Sequence, residues 1–173
     1  HPESYHSFMA TNFFDHVDVP KENINILNGN APDLAAECAA YEAKIVAAGG
    51  IDLFMGGVGE DGHIAFNDPP ADFDTKEAYI IVNLEEKCKK QQMGEGWFAT
   101  IDDVPKQAVS MTAYQIMLCK EIVSCVPYAV KAEAVKNTVK ATETTNMIPA
   151  TLLKEHPNFI LYVDMDSAAG ILA

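Results

Sequence analysis

Ile51-Asp-Leu-Phe-Met55 is an apolar run too short for a helix, and it breaks directly into Gly56-Gly-Val-Gly-Glu-Asp-Gly-His-Ile-Ala-Phe-Asn-Asp-Pro69. A compact run bounded by glycines predicts a buried strand over 51–55. Glycines at 56, 57, 59 and 62 deny the next stretch a helix, and Pro69-Pro70 blocks one from starting later. A buried strand that discharges into an irregular loop is the local pattern of an open parallel sheet. Such sheets bind ligands beyond the carboxyl ends of their strands. The segment therefore points to a fold class and to the place where function should be sought.

The rest of the chain agrees with that class. Tyr5, Phe8, Met9 and Phe13 share a face, which predicts a helix over 4–17, and 23–27 reads as a short strand. Leu34, Cys38, Tyr41 and Ile45 recur at helical spacing after Pro32 and stop at Gly49-Gly50. Strands are expected at 78–84, which alternates in polarity, and at 108–111, 121–126 and 159–163. Helices are expected from Glu85 and over 113–119, 128–139 and 149–156. Strands alternating with helices predict an α/β fold with a mostly parallel sheet covered on both faces.

Charge narrows the partners. The 173 residues, the size of one domain, carry 12 Lys plus Arg, all of them Lys, against 25 Asp plus Glu, a net charge of −13. That field repels phosphate backbones, so nucleic acid is not an expected partner, and no apolar run is long enough for a membrane span. A small anion could still bind where lysines and backbone N–H groups converge. Cys38, Cys88, Cys119 and Cys125 show no C-x-x-C spacing, which suggests reduced thiols in a cytoplasmic protein. The chain opens on His1 rather than Met, with no leader-like pattern.

Within the glycine-rich loop, His63 stands beside Asp61 and near Asp68. Imidazole ordinarily titrates near neutrality, and two carboxylates are available to fix its tautomer, so the loop reads as an acid/base site with a glycine nest for an anion. Gly57-x-Gly59-x-x-Gly62 also matches a dinucleotide fingerprint. That reading needs a helix at the third glycine, which Pro69-Pro70 forbids, and Glu60 and Asp61 would face the pyrophosphate. A metal on Asp61, His63 and Asp68 would need a further strong ligand at suitable spacing. The bland alternative is a satisfied histidine in a turn. The glycines and the paired carboxylates favour chemistry.

The run from Met55 to Pro69 closely resembles the signature of the glucosamine-6-phosphate deaminases. Similar stretches are His1-Pro-Glu-Ser-Tyr-His-Ser-Phe-Met9, Asn28-Gly-Asn-Ala-Pro32, Gly94-Glu-Gly-Trp-Phe98 with Asp103-Val-Pro-Lys-Gln107, and Pro149-Ala-Thr-Leu-Leu153. A sister family, the 6-phosphogluconolactonases, shares the Gly-x-Gly-x-Asp-Gly-His core but usually continues with Ser-Leu-Phe-Pro, not Phe66-Asn67-Asp68-Pro69.

The resemblance implies a three-layer modified Rossmann-type fold over a single domain, 1–173. It also implies conversion of an amino-sugar 6-phosphate to fructose 6-phosphate and ammonia, without cofactor or metal, by a homo-oligomer. His63 would open the sugar ring, with Asp61 and Asp68 holding it; the family commonly has Glu at position 68. Gly57 and Val58 in the loop would contact substrate, and Lys131 would bind its phosphate. Lys89, within Lys87-Cys-Lys-Lys-Gln-Gln92, stands nearest to a family phosphate-binding Arg, and a lysine there is a point charge rather than a fork. Family members carry a segment before the His-Pro-Glu-Ser stretch with the aspartate that takes the C2 proton, so the chain reads as N-terminally truncated. Alternatives on the same fold are a lactonase, a galactosamine-6-phosphate isomerase or a non-catalytic sugar-phosphate sensor.

Overall fold

The computed structural model describes residues 4–84, 86–94 and 96–172, without the side chains of 87, 88 and 91. Residues 1–3 and 95 of the motifs above, and the side chain of residue 87, lie outside the described residues. A parallel sheet runs in the order β1 (Leu53–Gly56), β4 (Glu121–Val126), β5 (Phe159–Val163). Register pairs Gly56 with Ser124 and Val126 with Val163, so all three strands end on one edge.

One face of β4 points Ile122, Ser124 and Val126 into the core, each at most 2% exposed. Ala134 and Val135 of α5 (Ala132–Lys140), Ile116 of α4 (Ala113–Met117) and Leu153 of the 3-10 helix Pro149–Glu155 complete that cluster. Burial pushes the nearby Cys119 thiol up to about 11. It acts as a small apolar group of the core rather than as a nucleophile. The opposite sheet face differs from the two-sided cover expected of a parallel sheet: Met55 is 71% and Tyr162 58% exposed, with Leu53 and Ile160 also open.

β2 (Tyr79–Asn83) and β3 (Gln107–Met111) do not join this sheet; they form a separate antiparallel ribbon. The physical reason lies in the alternation of 78–84, because a strand buried on one face suits an antiparallel pair, whereas central parallel strands are apolar on both. At the start of the ribbon, Ala78 and Tyr79 pack on Cys38, Tyr41 and Ile45 of α2 (Leu34–Ala47). That helix starts where Asp33 accepts the N–H of Ala36 at 2.9 Å and stops at Gly49 and Gly50, with φ of 87° and 98°.

Three further expectations shift. Residues 24–27 are not a strand, since side chains occupy their carbonyls: the Tyr41 hydroxyl donates to Asn25, and the His6 ring meets the Leu27 oxygen, both at 2.9 Å. The first helix, α1 (Tyr5–Asn12), ends early, where Asn12 turns its amide back to the Phe8 carbonyl, and a 3-10 turn Phe14–His16 follows. Residues 128–139 divide into the 3-10 turn Ala129–Lys131 and α5, while Pro149–Glu155 is 3-10 throughout. α3 (Glu86–Gly94) follows β2 as expected.

Candidate active site

β1 delivers the chain to the carboxyl edge of the sheet, and the glycines then fold the loop tightly on itself. The N–H of Gly59 donates to the His63 carbonyl at 2.8 Å and that of Gly62 to the Gly59 carbonyl at 3.0 Å. These two N–H groups thus turn inward, so the anion nest expected from the glycine content does not include them. Gly62 has φ of 87°, and a Cβ there would stand 2.8 Å from Ile148 Cγ2, so both conformation and space demand glycine. Val58 and Ile64 plug into the core at 5% and 1% exposure. With its side chain buried, Val58 can meet a ligand only through its backbone, whereas Gly57 is exposed.

This anchoring holds His63 against two carboxylates. Its Nδ1 lies 2.7 Å from Asp61 Oδ1 and 3.5 Å from Asp68 Oδ1, with 17% of the side chain exposed. The same Asp61 oxygen accepts the His63 backbone N–H at 3.2 Å. A carboxylate can only accept, so Nδ1 carries the proton in the neutral ring and Nε2 keeps its lone pair. The arrangement can take up a proton at Nε2 and hold the resulting imidazolium between two negative groups.

Asp68 is brought to the ring by its neighbour. Asn67 is 5% exposed; its amide donates to the Ile64 and Met111 carbonyls, both at 2.8 Å, and its oxygen accepts the Ala113 N–H at 3.2 Å. It thereby closes the 64–67 turn, in which Ala65 has φ of 50°, and ties it to the start of α4. Asn67→Leu keeps the volume but leaves the buried Ala113 N–H without its acceptor, at a cost of about 1–3 kcal/mol, and takes one of two donors from the Ile64 and Met111 carbonyls, which keep the Asn67 backbone N–H and the Ser110 hydroxyl. Urea unfolding should show a loss of about 2 kcal/mol or more at unchanged m; a parent-like midpoint would mean that these groups find other partners.

Lys131 ends the 3-10 turn Ala129–Lys131, just past β4, and is half-buried. The parallel pairing of β1 with β4 puts it on the same sheet edge as the His63 loop. Lys89 lies on α3, beyond the antiparallel ribbon, and no polar contact joins it to that loop among the described residues. Sequence reasoning also missed Tyr128, at φ of 80° and ψ of 146°. That conformation belongs almost entirely to glycine and costs about 1–3 kcal/mol in other residues. Its N–H donates to Asp164 Oδ2 at 2.9 Å, while its carbonyl accepts the Lys131 N–H at 3.0 Å. The N–H groups of Ser167 and Tyr128 hold the Asp164 carboxyl below the usual carboxylate range.

Residues 1–161 match the family described as glucosamine-6-phosphate isomerases/6-phosphogluconolactonase. The glucosamine-6-phosphate deaminase of Thermoanaerobacter pseudethanolicus is 43% identical over 171 residues, covering 99% of this chain and 66% of that protein. Its counterpart in Cronobacter sakazakii is 42% identical over 167 residues, covering 96% of this chain and 61% of that protein. The chain thus spans less than two thirds of the length of these curated relatives. Among solved structures, a monomeric glucosamine-6-phosphate deaminase of the NagB superfamily superposes with a TM-score of 0.90 at 34% identity. It covers 98% of this chain and 68% of that one. The 6-phosphogluconolactonase of Trypanosoma brucei, at 18% identity and a TM-score of 0.69, covers 99% of this chain and 70% of its own and shares the fold.

Proposed function

The chain belongs to the glucosamine-6-phosphate isomerase/6-phosphogluconolactonase family, and from that membership we propose that it serves a glucosamine-6-phosphate deaminase, yielding fructose 6-phosphate and ammonia. The observation that carries the reading is the Asp61 carboxylate 2.7 Å from Nδ1 of His63, with Asp68 at 3.5 Å on the same nitrogen. With Nδ1 so occupied, Nε2 takes the proton of the anomeric hydroxyl as the C1–O5 bond breaks, and returns it to O5. The products are a C1 aldehyde and a C5 hydroxyl, and the imidazole is regenerated. Asp61 and Asp68 stabilise the transient imidazolium and orient the ring. Once a proton has passed from C2 to C1, leaving a C1 hydroxymethyl group and a C2 iminium, water adds at C2 and ammonia leaves, the hydrolytic part of the reaction.

Phosphate anchoring is assigned to Lys131, with Gly57 and the Val58 backbone at the strand end and Lys89 as a second, more distant cation. Lys131→Ala should raise the Kd for glucosamine 6-phosphate by roughly 10- to 100-fold, the worth of a charge-assisted contact, and leave the melting temperature unchanged. Calorimetry with phosphorylated and unphosphorylated glucosamine checks this; equal affinity of the parent for both would remove the assignment.

The deciding assay for the activity is ammonia release from glucosamine 6-phosphate, run beside hydrolysis of 6-phosphogluconolactone. Exclusive turnover of the lactone would transfer the site to the sister chemistry. The proposal extends to one catalytic domain, a cytoplasmic setting suited to free Cys38, Cys119 and Cys125, and a homo-oligomer. The solved relative is described as monomeric, and sedimentation velocity separates the two states.

A further inference from the structure

Tyr128 occupies a backbone conformation that glycine would adopt without strain, and its ring is 68% exposed. Folding therefore gains little from the side chain that creates the strain. The conformation is nonetheless held from both sides. Asp164, the first residue after β5, accepts the Tyr128 N–H, and the Lys131 N–H closes a turn onto the Tyr128 carbonyl. Asp164 is itself fixed by Ser167, which is fully buried: its Oδ1 accepts the Ser167 N–H at 2.7 Å, and its own N–H donates to Ser167 Oγ at 3.1 Å. A bulky residue kept in a costly geometry by surrounding structure, without packing to justify it, marks a place where the gain comes on binding.

Its position says what would be bound. Tyr128 stands two residues past the end of β4, between the carboxyl ends of β4 and β5, and shares one hydrogen-bonded turn with Lys131. Among the described residues its hydroxyl has no hydrogen-bond partner. We propose that Tyr128 is a further substrate-contacting residue, its phenol donating a hydrogen bond to the phosphate group of the sugar phosphate anchored by Lys131. This rests on the sugar-phosphate reading above and adds to it a neutral donor beside the single cation. In a chain without arginine, that second donor supplies the directionality that a lysine point charge lacks.

Two variants of the whole chain test it, with glucosamine 6-phosphate, glucosamine and inorganic phosphate as calorimetric probes. Tyr128→Phe keeps the ring and the strain; it should leave the melting temperature unchanged and weaken glucosamine 6-phosphate and phosphate by about 3- to 10-fold, with no change for glucosamine. Tyr128→Gly relieves the strain, so it should melt higher than the parent while binding the phosphorylated ligand at least as weakly as the Phe variant. Unaltered affinities in both variants, beside a parent that binds, would overturn the inference and leave the activity standing. An equal loss for glucosamine would place the ring on the sugar and overturn the phosphate contact. A parent that binds no sugar phosphate would overturn this inference and the proposed activity together.

Discussion

His63→Gln should lower turnover of glucosamine 6-phosphate by roughly 10²-fold or more, because glutamine can hydrogen-bond but cannot move a proton near neutral pH. The fold should tolerate the change. An amide N–H can still reach Asp61, so the carboxylate that lies 2.7 Å from Nδ1 need not be left without a donor. Stability should then move by less than about 1 kcal/mol, far too little to explain a hundredfold loss of rate. Two measurements isolate the proton-transfer role. Substrate affinity of the variant should stay near that of the parent, and turnover should remain low at every pH from 5 to 9. Activity within a few-fold of the parent would remove His63 from the chemistry, and the paired carboxylates would then serve only to satisfy a histidine in a turn.

Gly59→Ala is expected to be nearly as damaging to activity, by a route that leaves every titratable group in place. A methyl group at that position would overlap Cε1, Nδ1 and Nε2 of the His63 ring, which lies against the Gly59 Cα. Because the contact is with a ring pinned by Asp61, the imidazole must swing out and give up its short hydrogen bond, or the turn must open. Overpacking of this kind costs about 1–3 kcal/mol of stability. The larger effect should fall on the rate, since ring opening needs Nε2 placed to within a fraction of an ångström. Stopped assays with the variant should show a kcat down by at least about 10-fold at near-parent substrate affinity. Parent-like kcat would mean that the ring has a second productive seat.

Sequence made some parts of this molecule legible because the causes are local. The i, i+4, i+7 spacing from Leu34 and the glycine pair after it describe α2 without help from other elements, and the apolar run before Gly56 announces β1. Asp61 and His63 meet because a single glycine separates them in a tight turn. What stayed hidden depends on distant partners. Residues 78–84 announce a strand, but whether they enter the parallel sheet or pair with β3 depends on which face α2 covers. Asn67 looks like one more turn residue until Met111 and Ala113 arrive beside it. A run of glycines suggests donors to an anion, whereas Gly59 and Gly62 spend their N–H groups on the loop itself. Tyr128 carries no sequence signal for its conformation, because only the Asp164 and Lys131 contacts force it there.

The closeness of Gly59 to the His63 ring also gives the protein a built-in magnetic probe. The Gly59 hydrogen that stands where a side chain would begin points into the imidazole, so it sits in the ring's shielding region. Its proton resonance should be displaced well away from its geminal partner, and the splitting between the two should collapse if the ring swings aside. Following that one glycine through a titration with glucosamine 6-phosphate would show, without any label on the histidine, whether the ring stays seated when the sugar enters.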